Sequence, residues 1–159
     1  MIGVPFRRVE LVTKLGPAQV ATRLQQVTFP HYRWFRFPPR QKQFVGPITA
    51  ERFLLARAIR GLNSYLPRVA GSIAPSLSGS RVSLTMTLHP VIIGLVLGTT
   101  MWVCYIAVAV PGNLTGKVVL VTVFGAFHVL MWLVGFEPEA NWAEERIRAI
   151  LEVGDAEVA

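Results

Sequence analysis

Few residues of this chain have the types and spacing that catalysis needs. Before residue 90 the only carboxylates are Glu10 and Glu51, and the only histidines are His31 and His89. No Cys or His cluster has the spacing of metal ligands, no glycine-rich phosphate loop occurs, and no nucleophile lies in a recognisable elbow. The sequence therefore supports no enzymatic activity, no metal site and no cofactor.

Aromatic and basic side chains are concentrated in Phe29–Lys42, which holds five aromatic and four basic residues. Its three prolines predict a loop. The rings and guanidinium groups could enter a bilayer interface, stack on single-stranded nucleic acid, or divide between the protein core and solvent. Lipid contact is the favoured interpretation and nucleic acid the least favoured. The residues predicted to contact lipid are Arg33, Trp34, Phe35, Arg36 and Arg40.

His128 lies within a long apolar run, where an ionisable side chain is by default a functional hypothesis. If the two apolar runs form an antiparallel hairpin, His128 is level with Gly98 and Thr99. A neutral imidazole that hydrogen-bonds Thr99 or Thr100 across the helices is the favoured role. The alternative is a proton or ion path in a transport or channel assembly, which needs an oligomer because two helices cannot enclose a pore.

Small residues are spaced to let helices approach closely. Gly94 and Gly98 form a small-xxx-small pair, and Gly125 supplies a small residue in the second run. This spacing serves either the packing of the hairpin or a homodimer, and packing within the hairpin is the favoured use.

Two apolar runs determine where these residues lie. Pro90–Val110 and Val118–Phe136 contain 21 and 19 residues and no Asp, Glu, Lys or Arg. A membrane-spanning helix needs about 20 such residues. With the connector 111–117, the runs predict a transmembrane helical hairpin.

Charge divides the chain into a basic and an acidic part. Residues 1–89 carry 13 basic and 2 acidic residues, whereas residues after 136 carry 2 basic and 7 acidic ones. The charges near the spans and the absence of an early apolar signal predict a cytoplasmic head and tail. The single Cys104 permits no disulfide within the chain.

The pattern before residue 90 predicts a small α+β head. Val4–Val12 reads as a strand and Pro17–Val27 as an amphipathic helix. Further strands are predicted at 44–48, 52–59, 67–74 and 80–88, as an antiparallel meander. In the last one, Val82, Leu84, Met86 and Leu88 alternate with Arg81, Ser83, Thr85 and Thr87, so one face is buried and the other solvated.

The residues after the second run predict a separate short helix. Glu137-Pro-Glu-Ala140 reads as a turn, and Asn141 with Glu144 has the form of a helix N-cap with a reciprocal Glu. We expect this acidic helix to pack on the basic head. The predicted domains are therefore a head at 1–89, a hairpin at 90–136, and an acidic helix and tail at 137–159.

Short motifs between residues 44 and 151 resemble those of a group of small bacterial inner-membrane proteins. They are Arg57-Ala-Ile-Arg60, Asn63-Ser-Tyr-Leu-Pro67, Gly71-Ser-Ile73, Gly79-Ser-Arg-Val82, Met86-Thr-Leu-His-Pro90, Gly135-Phe136-Glu137 and Glu139-Ala140. The chain departs from the group at Gly61-Leu62, where a polar or aromatic pair is expected. The resemblance implies a soluble N-terminal head, a two-helix hairpin and an inner-membrane location, and it implies no activity.

Taken together, the patterns predict a two-span inner-membrane protein that acts as a membrane-anchored interaction or lipid-surface module. The expected partners are the bilayer, anionic lipids, and another membrane protein or a second copy of this chain. A subunit of an oligomeric transport or channel assembly is the alternative.

Overall fold

The structure, a computed structural model, describes residues 6–30, 42–59, 65–109 and 111–152. It contains one six-stranded sheet and three helices, which confirms the predicted α+β class. The elements are β1 (Phe6–Thr13), α1 (Pro17–Val27), β2 (Thr28–Phe29), β3 (Phe44–Val45), β4 (Arg52–Arg57), β5 (Arg68–Ser76), β6 (Gly79–Thr87), α2 (Pro90–Ala109) and α3 (Leu114–Leu151).

The sheet has the strand order β1-β6-β5-β4-β3-β2. Strands β3 to β6 are consecutive antiparallel neighbours, which confirms the meander, and β1 pairs with β6 from Phe6↔Thr87 to Thr13↔Ser80. The two-residue β2 was not predicted, and it is parallel to β3. The first and last long strands are therefore neighbours, and β1 forms one edge.

Alternation along the strands gives the sheet two different faces. On one face, which we call the covered face, Val82, Leu84 and Met86 of β6 are 0% exposed. Their register partners on β1 and β5 are apolar as well, except that Arg7 of β1 lies opposite Met86 and Gly71 of β5 lies opposite Leu84. A Cβ at Gly71 would approach the ring of Phe53 to 2.0 Å, so glycine leaves room for that ring.

Helix α1 covers part of this face. Pro17 opens the helix, and the backbone N–H of Gly16 donates to the side-chain oxygen of Gln19 over 3.0 Å. Val20, Ala21 and Leu24 are buried at helical spacing, as the pattern predicted.

Helix α3 corrects the predicted C-terminal half of the chain. It runs unbroken from Leu114 to Leu151, with Pro138 inside it. The predicted turn at residues 137–140 and the separate helix from Asn141 were wrong. Pro138 removes one helical hydrogen bond. Burial of Phe136, Ala140, Ala143 and Ile147 along one side of α3 outweighs that loss.

The burial of α3 changes abruptly along its length. From Leu114 to Val134 its side chains are exposed or partly exposed, whereas Phe136 is 1% exposed and begins a series of buried residues that ends at Leu151. These residues belong to the same hydrophobic core as the sheet and α1. The core of the head thus combines residues before the hairpin with residues after it.

The exposed part of α3 matches α2 in length. Helix α2 has 20 residues, which corresponds to about 30 Å, and the part of α3 before Phe136 is about equally long. The two helices contact each other. Asn113 caps α3 by accepting the backbone N–H of Gly116 over 2.7 Å, so the connector is shorter than predicted.

Candidate binding surface

Three arginines of the head form ion pairs with glutamates in α3 or at its C-cap, Glu152. Arg57 of β4 pairs with Glu139, Arg7 of β1 pairs with Glu144, and Arg23 of α1 pairs with Glu152, at 2.8, 2.9 and 2.5 Å. The expectation that the acidic C-terminal segment packs on the basic head is confirmed. The opposite charges seen along the sequence meet within one folded unit.

Arg57 makes the most directional of these contacts. Its Nη1 donates to both carboxylate oxygens of Glu139, over 2.9 and 2.8 Å. Its guanidinium carbon lies 4.2 Å from the centre of the Trp142 ring, which in turn packs against Phe44. The Arg57 side chain, at the end of β4, is therefore held by charge-assisted hydrogen bonds and by a cation–π contact.

Glu144 lies between two guanidinium groups. Arg148, one turn further along α3, donates to its Oε1 over 2.8 Å, while Arg7 lies 2.9 Å from its Oε2. The Arg7 contact is an ion pair rather than a well-directed hydrogen bond. Arg7 also donates to the side-chain oxygen of Asn141. The residues predicted to cap a new helix, Asn141 and Glu144, instead bind the first strand.

The opposite face of the sheet, which we call the open face, has unpaired arginines. Arg8, Arg52 and Arg81 are exposed there and Arg68 is half-buried. Within residues 6–30, 42–59, 65–109 and 111–152, none of the four forms an ion pair. The only acidic side chain that register places on this face is Glu10, opposite Ser83.

The alternation of residues along each strand indicates which arginines lie on the covered face and which lie on the open face. Arg7 and Arg8 are adjacent on one strand, so they must point to opposite faces. Arg52 and Arg57 are five positions apart on β4 and also point to opposite faces. The solvated face of β6 was predicted, but the pairing of strands was needed to show that the four arginines share one surface.

The residues predicted to contact lipid, Arg33, Trp34, Phe35, Arg36 and Arg40, lie outside the described residues. The ends of their segment are described: Pro30 follows β2, and the Lys42 ammonium donates to the backbone oxygen of Gln26 over 2.5 Å. Lipid contact by this segment stays a prediction.

The predicted hydrogen bond between His128 and Thr99 or Thr100 is wrong. His128 Nδ1 lies 2.9 Å from the carbonyl oxygen of Phe124, one turn earlier in α3. Since a carbonyl can only accept, Nδ1 carries the proton. Thr99 and Thr100 donate to carbonyls of their own helix at 2.7–3.1 Å. Each polar group bonds within its own helix, because a backbone acceptor one turn away is always within reach.

The predicted packing of glycines inside the hairpin is also wrong. A Cβ added at Gly94, Gly98 or Gly125 would meet no atom within 4 Å. The three glycines therefore lie outside the contact between α2 and α3. Their use in a homodimer stays a prediction.

His89 has the role expected at the start of a helix. Its Nδ1 accepts the backbone N–H of Val91 over 3.2 Å, which satisfies one donor of the first turn of α2. No group of three or more His, Cys, Asp or Glu that could hold a metal ion occurs in the part of the chain that the structure describes.

Comparisons with models of protein families, with curated proteins and with solved structures found no match for this chain.

Proposed function

We propose that this chain is a two-span integral membrane protein whose basic head is an interaction module at the bilayer surface. The observation that carries the proposal is helix α3, which passes from an apolar segment without buried residues directly into the core of the head. One helix thereby belongs to both the bilayer and the folded domain.

The exposure of the apolar helices supports membrane insertion. Helices α2 and α3 are both long and apolar enough to cross a membrane. In their most apolar windows only 6% and 0% of the residues are buried within the protein. A core helix of a water-soluble protein would be mostly buried, so lipid is the environment that satisfies these side chains.

Two short junctions support a head that is close to the bilayer. Strand β6 ends at Thr87, Leu88 is 4% exposed in the head core, and α2 begins at Pro90. On the return side α3 continues without a break. Neither junction contains a flexible linker, so the head occupies a narrow range of positions relative to the spans.

For location we propose the inner membrane of a bacterial cell, with the head, both termini and the acidic end of α3 on the cytoplasmic side. The positive-inside rule supports this orientation, because the head has many arginines, whereas the opposite end of the hairpin has only Lys117, in the first turn of α3. The bilayer, anionic lipids and another membrane protein or a second copy are the proposed partners. Lipid contact by Arg33, Trp34, Phe35, Arg36 and Arg40 is part of this proposal.

Cysteine labelling tests both insertion and orientation. In a Cys104→Ala background, Leu77→Cys places a thiol at the exposed β5–β6 turn and Gly112→Cys places one in the connector. We expect a membrane-impermeant maleimide to label Gly112→Cys in intact cells, and to label Leu77→Cys only in inverted vesicles.

Alkaline extraction of the same membranes is the control for insertion. We expect the protein to stay in the pellet until detergent is added. Release into the supernatant without detergent would contradict the proposal, and labelling of Leu77→Cys in intact cells would reverse the proposed orientation.

A further inference from the structure

We propose that the open face of the sheet binds an acidic amphipathic helix of a partner protein. This inference names the partner of the proposed interaction module and rests on the proposed function to that extent. The elements that carry it are the four unpaired arginines and the small residues between them.

The pairing register fixes how the four arginines are arranged. Arg8 lies opposite Thr85 and Arg68 lies opposite Thr87, whereas Arg52 and Arg81 lie on β4 and β6 towards the other end of the sheet. With about 4.8 Å between strands and about 3.3 Å per residue, their Cα atoms form a parallelogram with sides of about 12 and 14 Å.

The middle of this parallelogram has small, uncharged side chains. Ala70 and Thr85 face each other across β5 and β6, and Ser72 and Ser83 face each other in the next row on the same side of the sheet. Long arginine side chains thus surround a shallow floor of alanine, serine and threonine. A helix with side chains is about 10–12 Å wide, which fits between arginines separated by about 12 Å.

Charge complementarity specifies the acidic character of that helix. A single carboxylate or phosphate cannot contact all four guanidinium groups, whose Cα atoms are spread over about 12 by 14 Å, so a ligand that engages all of them must repeat its negative charges. Acidic residues two turns apart on a helix are about 11 Å apart, which matches the spacing of about 12 Å between arginines that lie two strands apart. An apolar stripe between acidic edges would lie on the small residues of the floor.

Other polyanions fit this face less well. Single-stranded nucleic acid binds by stacking on aromatic rings, and Phe6, at the end of β1, is the one aromatic side chain that register places on the described part of this face. A flat lipid surface cannot reach all four arginines, because β6 runs towards the bilayer and Arg81 is six residues before Thr87.

Peptide binding to the full chain tests the proposal. The protein is reconstituted in nanodiscs of uncharged lipid, and the probe is a labelled synthetic peptide of Glu, Ala and Leu with the glutamates on both edges of a helix. A peptide of the same composition in scrambled order is the control ligand. We expect the amphipathic peptide to bind about tenfold more tightly, measured by fluorescence anisotropy.

Matched variants separate the open face from overall charge. Arg52→Gln/Arg81→Gln removes two charges from the face, and Lys14→Gln/Lys117→Gln removes two charges elsewhere. We expect the first pair to weaken peptide binding about tenfold and the second to change it less than about twofold. Circular dichroism of each variant checks that these surface substitutions leave the fold intact.

Each of three results would overturn the inference. The first is peptide binding that does not distinguish the two peptides or the two variants. The second is tighter binding of an oligonucleotide that depends on Arg52 and Arg81, which would assign the face to nucleic acid. The third is binding of the protein to added vesicles of anionic lipid that depends on Arg52 and Arg81, with no binding of the amphipathic peptide, which would assign the face to lipid. Alkaline extraction is unaffected by any of these, so failure here is distinguishable from failure of the membrane assignment.

Discussion

The head and the hairpin use their polar side chains in different ways. In the head, Arg7, Arg23 and Arg57 each connect a strand or helix to α3. In the hairpin, His128 and Thr99 bond only to carbonyls of their own helices. The tertiary structure of the head is therefore specified by contacts between elements, whereas the polar groups of the hairpin that form hydrogen bonds do so locally.

The proposed membrane location accounts for this difference, because the head and the hairpin then have different solvents. Water lets exposed charges remain unpaired at little cost, so an ion pair in the head selects one arrangement among many. Lipid offers polar side chains no hydrogen-bond partners, so the hydroxyls of Thr99 and Thr100 and the imidazole of His128 bond to carbonyls of their own helices. The apolar outer surface of the hairpin needs only lipid or another apolar helix around it.

The largest expected effect is at Ile147, which is 0% exposed between α3 and the sheet. Replacing Ile147 with alanine leaves a cavity in the core, so we expect the free energy of unfolding of the head to fall by about 2–5 kcal/mol. Hydrogen exchange of the β6 amides in detergent micelles measures it.

The control is the same kind of truncation in the exposed apolar segment of the same helix. Val134 is 63% exposed, and Val134→Ala should change that free energy by less than about 0.5 kcal/mol. Equal losses for the two variants would show that α3 is not divided between core and lipid.

A smaller effect is expected at Arg57. Replacing Arg57 with glutamine removes two charge-assisted hydrogen bonds to Glu139 and the contact with Trp142. We expect a loss of about 1–2 kcal/mol in the free energy of unfolding, measured by urea titration in micelles.

Arg52 provides the matched variant on the same strand. It is exposed on the open face and unpaired within the described residues, so Arg52→Gln should change stability by less than about 0.5 kcal/mol. If Arg52→Gln costs as much as Arg57→Gln, the distinction between the two faces is wrong.

The smallest effect is expected at His128. Its hydrogen bond is to a carbonyl that already belongs to the helix, so His128→Leu should change stability by less than about 0.5 kcal/mol in either direction. Proton flux into proteoliposomes is measured in parallel. A flux that the wild-type chain supports and this variant loses would establish the alternative function in transport.

Local patterns in the sequence predicted much of the fold. Helix α1 was predicted with its observed bounds, and β4 and β6 were predicted within two residues, because period and turn residues are local signals. The continuity of α3 was not predictable in this way. Pro138 and the Asn141–Glu144 spacing are local signals for a break, and they were overridden by burial against strands more than fifty residues away.

The binding surface was less predictable than the fold. Each of the four open-face arginines looks like an ordinary solvated side chain, and only the strand order brings Arg8 and Arg81 next to Arg52 and Arg68. His128 and the glycines were misplaced because helical spacing gives the faces of one helix but not which face meets its neighbour.

If the spans are inserted as proposed, tilting them also tilts the rest of α3, because the helix is unbroken between its apolar segment and the head. The segment from Phe136 to Leu151 rises about 22 Å. A change of about 10° in the tilt of the spans would swing its upper end by about 4 Å. Bilayer thickness, which sets that tilt, would thereby also set the angle at which the whole head is presented.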